Sequence, residues 1–155
     1  KPIARNNMIT GYTTGVYDLF HIGHLNILRN SRSLCDQLIV GVTVDELLID
    51  YKGKPPIISF NERQQIVESV KYVDAVVPQY SMDKYEAWQK LKFDVMFVGD
   101  DWHNTPKWKT IEEKLATEGV KTIYFPYTKG TSSTLLNAIL KSERSKLKSP
   151  IDTQS

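Results

Sequence analysis

Gly15-Val16-Tyr17-Asp18-Leu19-Phe20-His21-Ile22-Gly23-His24 joins two segments of different periodicity. Before it runs Met8-Ile9-Thr10-Gly11-Tyr12-Thr13, short and apolar, which reads as a strand. After it, Leu25-Asn26-Ile27-Leu28-Arg29 opens an amphipathic helix. Two imidazoles therefore stand where a strand hands over to a helix, the place where ligands bind in an open parallel sheet. Backbone N–H groups at a helix N-terminus attract phosphate, and His adds hydrogen bonds or positive charge. The arrangement points to a site for a nucleoside triphosphate that is attacked at one of its phosphorus atoms. A pair of His at i, i+3 also occurs on ordinary surfaces and in metal clips. A zinc site would need further ligands, and only His103 and Cys35 are left to supply them. Gly15 and Gly23 flank the pair and suit close approach of the backbone to a ligand.

The alternation continues along the chain. Leu38–Thr43, Ala75–Pro78, Val95–Gly99 and Thr122–Phe125 are further candidate strands, and Gly23–Cys35, Phe60–Val70, Lys84–Leu91, Thr105–Glu118 and Ser132–Leu140 are candidate helices. Leu25, Leu28 and Leu34 of the first helix, and Ile66, Val67 and Val70 of the second, are expected to face the sheet. Runs such as Leu38-Ile39-Val40-Gly41-Val42 are apolar at nearly every position, as a sheet buried on both faces requires. The expectation is an α/β fold with helices on both faces of an open parallel sheet, in one domain over 8–140. Residues 1–7 and 141–155 read as flexible termini.

The bulk numbers bound the alternatives. The 155 residues suit one domain, and a net charge of +2 is too small to argue for nucleic acid or an acidic membrane. No apolar run approaches a membrane span, and Lys1–Asn7 has no secretory core. A single cysteine excludes an internal disulfide, and a cytoplasmic location is the expectation.

Four further blocks carry chemistry. Asp50-Tyr51-Lys52-Gly53-Lys54-Pro55-Pro56 reads as a loop whose ammonium groups could reach phosphate, or as a solvated basic loop. Ser59 and Glu62 fit a capping box ahead of the helix from Phe60, while Arg63 suits bidentate recognition of phosphate or, equally, an exposed helix face. Gly99-Asp100-Asp101-Trp102 follows a strand and offers acceptors and a flat apolar wall to a polyol or a base, with the carboxylates also suited to Mg²⁺. As a turn it would need no ligand. Tyr127-Thr128-Lys129-Gly130-Thr131-Ser132-Ser133-Thr134 places hydroxyls and a Lys at a helix start, where Ser132 is also a good N-cap.

Taken together, the blocks resemble the HxGH nucleotidyltransferase superfamily and, within it, the cytidylyltransferase family. The bacterial glycerol-3-phosphate cytidylyltransferases are most similar, with the choline-phosphate enzymes second. The resemblance runs from about Ile9 to Ile139. It rests on Gly15–Asp18, the His21/His24 pair, Lys52-Gly53, Lys71-Tyr72-Val73-Asp74, Gly99–Trp102 and Tyr127–Ser133. It implies a Rossmann-like fold of five parallel strands in the order 3-2-1-4-5, a homodimer, and a reaction of CTP with a phosphorylated alcohol that gives a CDP-alcohol and pyrophosphate. Mg²⁺ would arrive with CTP. His21, His24 and Lys52 would be catalytic. Gly15, Val16, Tyr17, Gly23, Arg63, Asp101, Thr128, Lys129, Ser132 and Ser133 would hold the nucleotide. Asp18, Lys71, Asp74, Asp100 and Trp102 would line the acceptor pocket.

Departures from the family pattern bear on the acceptor. Lys71 and Tyr127 stand where the family has Arg, and Val16 removes a hydroxyl beside the triphosphate. A glycerol 3-phosphate-like polyol phosphate, a phosphonate or phosphocholine remain open as acceptors. An adenylyltransferase of the same superfamily, similar to archaeal FAD synthetase, is a second enzyme reading supported by Lys52-Gly53-Lys54-Pro55-Pro56. A non-catalytic nucleotide-binding domain is a third, which the retained His pair and Lys52 argue against.

Overall fold

Strands that are apolar on both faces pair side by side only when helices cover each face. The computed structural model, which describes residues 8–99, 105–126 and 139–142, has that arrangement. Strands β1 (Thr10–Gly15), β2 (Gln37–Thr43), β3 (Ala75–Gln79), β4 (Val95–Gly99) and β5 (Lys121–Phe125) form a parallel sheet ordered β3-β2-β1-β4-β5. Between them run α1 (Ile22–Arg32), α2 (Asp45–Lys52), α3 (Phe60–Glu68), α4 (Lys84–Leu91) and α5 (Pro106–Ala116). The chain steps outward from β1 through β2 to β3, then returns to β4 on the other side of β1. The switch point therefore lies between β1 and β4, as the Rossmann-like expectation requires. No described helix is long and apolar enough to cross a membrane.

The two faces have separate cores. Leu38, Val40, Val42 and Phe97 point to one side, where Leu28 of α1 and Val67 of α3 meet them. Tyr12, Ile39, Met96 and Val98 point to the other, against Trp108 and Leu115 of α5 and the apolar face of α4. Tyr12 stacks on Phe93 with ring centroids 4.7 Å apart. Alternate residues of β2 and β4 thus serve opposite cores, as the period of a strand dictates. β3 is an edge strand and carries the exposed Pro78.

An Asp immediately precedes each of β2, β3 and β4, and all three do the same work. The N–H of Asp36 donates to the Ile9 carbonyl while its carboxylate accepts the Ile9 N–H at 2.7 Å. Asp74 and Leu38 form the same reciprocal pair at 3.0 and 2.7 Å, and Asp94 and Thr10 at 2.8 and 2.9 Å. The starting rim of the sheet is closed by side chains where the ladder itself has ended.

Several expectations need correction. β1 runs to Gly15, two residues beyond the expected Thr13, so the strand reaches the loop before the His pair directly. The segment read as a loop at Asp50–Pro56 begins inside a helix. α2 starts with Asp45 and Glu46 in its first turn and ends at Lys52, because Gly53 adopts the left-handed conformation that stops it (φ 77°). Leu34 lies beyond the end of α1 and is exposed. Ile66 is exposed too, because Arg63, not Ile66, shares the inward face of α3 with Val67. Ser59 holds the N-cap position of α3, but its side chain bonds no backbone N–H. Asp45 accepts the Phe60 N–H instead, at 3.3 Å. Most of the candidate helix at Ser132–Leu140 lies outside the described residues.

Gly11 shows how closely β1 is packed. A Cβ there would come within 2.6 Å of the Phe97 ring and 2.9 Å of the Cys35 Sγ. Gly11→Ala is expected to destabilise the fold by about 1–3 kcal/mol through overpacking, read by urea denaturation. An unchanged midpoint would show that both neighbours yield freely.

Candidate active site

The loop from Gly15 to His21 carries strain that the surrounding structure holds in place. Tyr17 and Leu19 both adopt left-handed backbone (φ 57° and 52°), which costs of order 1 kcal/mol for a residue with a side chain. The Tyr17 ring folds back beneath Gly15, where a Cβ would meet it at 2.9 Å, and is itself buried. Gly15 is thus needed by the Tyr17 ring, a packing reason for this glycine beside the expected approach of its backbone to a ligand. Asp18 is buried, and its two carboxylate oxygens accept the N–H groups of Ile57 and Ile58 at 2.8 and 2.9 Å. Its expected place in an acceptor pocket gives way to a tie between two loops.

Arg63 is the second tie. Its guanidinium is fully buried and donates to the carbonyls of Ile58 (2.7 Å), Val16 (2.7 Å) and Thr43 (2.8 Å) and to the Asp45 carboxylate (2.6 Å). Four of its five N–H donors are consumed by protein, and none of the group reaches solvent. The expected contact with nucleotide phosphate is therefore replaced by a structural role. The hydroxyl of Thr43 also lies 3.2 Å from the Gly15 carbonyl and 2.8 Å from Oε1 of the buried Gln79, linking the ends of β1, β2 and β3. Thr43, Asp45 and Gln79 escaped sequence reasoning. The one local signal was the acidic pair Asp45-Glu46 just after an apolar run, which marks a helix start.

On this support sit the imidazoles. His21 is the N-cap of α1, with its Nδ1 accepting the Gly23 N–H at 3.0 Å. Nδ1 of His24 accepts the His21 N–H at 3.2 Å. The rings make a reciprocal capping box of the kind that hydroxyl and carboxylate side chains usually form. They stack 3.9 Å apart, with the edge of Tyr17 and the ring of Phe20 each 5.3 Å from His24. An imidazole whose Nδ1 accepts a backbone N–H carries its proton on Nε2 when neutral, so each ring keeps one donor, at Nε2. Burial holds the His21 pKa below the usual range. Burial, and then the charge of His21, push His24 down to about 3. Adding a second proton would also require Nδ1 to give up the backbone bond it accepts.

The remaining expected residues separate into groups. Gly23 is in the first turn of α1, where its N–H is the His21 partner. Lys52 is exposed at the C-terminal end of α2, its ammonium 5.8 Å from the Tyr51 ring and without an ion pair among the described residues. Lys71 and Asp74 stand before β3, at the starting rim, the length of a strand away from the His pair. Asp74 is committed there to Leu38 N–H and to Arg32 at 3.0 Å, and exposed Lys71 lies over the Tyr72 ring. Their expected place in an acceptor pocket is not supported. Asp100, Asp101, Trp102, Thr128, Lys129, Ser132 and Ser133 lie outside the described residues.

The family described as cytidylyltransferase-like matches residues 12–149. The chain is 35% identical to an FAD synthase of Pyrococcus abyssi, over 81% of this chain and 85% of that protein. It is 33% identical to a glycerol-3-phosphate cytidylyltransferase of Staphylococcus aureus, over 79% and 87% respectively. A lipopolysaccharide core biosynthesis protein from Thermoplasma volcanium superposes with a TM-score of 0.66 at 27% identity, over 81% of this chain and all of that one.

Two outcomes test the site. Arg63→Ala leaves three carbonyls, that of Thr43 buried, and one carboxylate without their donor and is expected to destabilise by about 3–5 kcal/mol. Arg63→Lys keeps the charge but not the fork and should recover only part of the loss, both read by denaturant titration. In long-range ¹H–¹⁵N spectra, His24 should remain the neutral Nε2–H tautomer at pH 5. Because its folded pKa is depressed, its contribution to stability is complete above about pH 6.5 and is lost as pH falls toward about 3. Titration of His24 with a midpoint near 6.5 would remove the capping argument.

Proposed function

Because the chain belongs to the cytidylyltransferase-like family of nucleotidyl-transferring enzymes, we propose that it transfers the cytidylyl group of CTP to a phosphorylated alcohol of the glycerol 3-phosphate type. The products are a CDP-alcohol and pyrophosphate. The reciprocal imidazole cap carries this reading. It holds two neutral rings at the N-terminus of a helix, at the switch end of the sheet, each with an Nε2–H donor uncommitted among the described residues.

Attack of the acceptor phosphate on the α-phosphorus builds negative charge on the α-phosphate and on the departing pyrophosphate. Fixed donors aimed at that charge stabilise the transition state without any proton transfer, and each is worth about 10²–10³ in rate. His21 and His24 suit this role because they stay neutral, hold their orientation and do not shed their backbone bonds. Lys52 would add a mobile positive charge between the reacting phosphates. Thr128, Lys129, Ser132 and Ser133 would hold the triphosphate, and Asp100, Asp101 and Trp102 the base and acceptor. Among the described residues no three His, Cys, Asp or Glu side chains gather to hold a metal. Mg²⁺ is proposed to enter bound to CTP, with Asp100 and Asp101 as candidate additional ligands, and to supply charge neutralisation of the triphosphate.

Adenylyl transfer is the second reading, favoured by the 35% identity to an FAD synthase. Pyrophosphate release with Mg²⁺, either CTP or ATP, and glycerol 3-phosphate, ribitol 5-phosphate, phosphocholine or a hydroxyalkyl phosphonate separates the two. Release with CTP and one acceptor is expected, and His21→Ala or His24→Ala should lower it about 10²–10³-fold with the circular dichroism spectrum retained. Release with ATP alone moves the reading to adenylyl transfer. Near-normal turnover in both His variants sinks the imidazole mechanism.

A further inference from the structure

β1 and β4 are neighbours in the sheet, yet their shared ladder is short. β1 pairs with β2 along its whole length, Thr10–Gly15, and β4 pairs with β5 as far as Gly99. Between β1 and β4 the register ends where Tyr12 lies opposite Met96. From Thr13 and Phe97 onward the two strands part, and the opening between them is the switch point itself, on the side of the imidazole pair.

Thr13 is the first residue past the last pair, and its hydroxyl donates to the Phe97 carbonyl at 2.9 Å. One side-chain bond thus spans the gap where the backbone bonds have ceased. The same hydroxyl is bonded to the side chain of Tyr17. A carbonyl only accepts, so the single Thr13 proton is committed to Phe97 and the Tyr17 phenol is the donor to Thr13 Oγ. Burial raises the Tyr17 pKa, which keeps the phenol protonated and the direction of this chain fixed. Thr13 and Tyr17 are both buried, where hydrogen bonds in series strengthen one another.

The Tyr17 ring meets the site directly. It packs edge-on against His24, with centroids 5.3 Å apart and planes at 67°, and His24 stacks on His21. The Nδ1 bond of His24 fixes its tautomer, but a single bond leaves the ring able to rock about that axis. Tyr17 blocks the motion on one side, and Tyr17 is itself pinned through Thr13 to β4.

We propose that Thr13 and Tyr17 form a clasp across the switch-point opening, and that Tyr17 is a positioning residue that ties the orientation of the His24 ring to the spacing of β1 and β4. Its effect on turnover rests on the nucleotidyl-transfer reading, whereas its effect on the His24 ring does not. Neither hydroxyl has to touch substrate. They act because a fixed donor loses much of its value when it is displaced by a fraction of an ångström.

Thr13→Val and Tyr17→Phe each remove one hydroxyl and keep the shape of the side chain. Long-range ¹H–¹⁵N spectra of His24, and turnover with CTP, are measured in the wild type, both single variants, the double variant and Thr13→Ser. The His24 ring signals should move in both single variants and lie at their wild-type positions in Thr13→Ser. In each single variant kcat should fall about tenfold while the KM for CTP stays within about twofold. The double variant should fall no further than the worse single variant, because one chain is broken only once. A merely structural pair would lower Tm and leave the His24 signals and kcat at their wild-type values, and that result overturns the clasp, as do additive losses in the double variant. If Thr13→Val does not fold, Tyr17→Phe decides by the same readouts. If the wild type turns over neither CTP nor ATP, the nucleotidyl-transfer reading fails, and the His24 signals alone then decide: movement in the variants supports the clasp and unchanged signals overturn it.

Discussion

A guanidinium with no exposure to water has to find every partner inside the protein, and Arg63 finds them on four separate segments. Val16 follows β1, Thr43 ends β2, Asp45 starts α2 and Ile58 precedes α3. Thr43 and Asp45 flank one turn, but Val16, that turn and Ile58 are well separated in sequence and have no reason of their own to meet. The fork geometry of arginine, with donors aimed in several directions from one plane, makes it the side chain able to gather them. The left-handed residues Tyr17 and Leu19 persist because the carbonyl of Val16 is held from one side and the carboxylate of Asp18 from another. The imidazole pair inherits its position from that arrangement.

The two rims of the sheet have opposite characters. At the starting rim, Asp36, Asp74 and Asp94 close the ends of the ladder with reciprocal bonds and leave little that could respond to a ligand. At the finishing rim, Asp18, Asp45 and Arg63 are committed to backbone and to one another, which leaves the imidazoles and lysines to respond to a ligand. Burial lowers the pKa of both His21 and His24, while Lys52 and Lys84 stand on helices that follow β2 and β3. Direction and charge are thus supplied by different residues. Positional precision comes from rings bonded to backbone, and field strength comes from ammonium groups on long stems.

Much of the fold was legible in the sequence because apolar runs and helical stripes report burial directly. The strand order came only through family resemblance. α2 was hidden because its eight residues expose most of their surface and its last turn reads as a basic loop. Ile66 misled because a charged residue, Arg63, takes the inward position that periodicity assigns to apolar groups. For the site, the His pair announced its place through the strand-to-helix junction, but its mode of capping did not, since imidazoles rarely serve in that role. Asp18, Arg63 and Asp74 share a different problem. The properties that let Asp and Arg bind phosphate or hydroxyl groups equally let them satisfy buried backbone, and only the fold decides which acceptors and donors surround them. Lys84 gave no signal at all, because its burial depends on α5, encoded more than twenty residues later.

The edge strand β3 carries one further consequence. A sheet edge presents a row of donors and acceptors on which another extended segment can assemble, and long, flat, apolar edges seed fibrous aggregates. β3 is only five residues long, and Pro78 removes one donor from it near its end. An incoming strand would meet a gap in the row together with a ring that resists flat apposition. Strand-by-strand growth at this side of the molecule is disfavoured, so the domain carries its own protection against cross-β templating while unfolded or newly made chains are abundant.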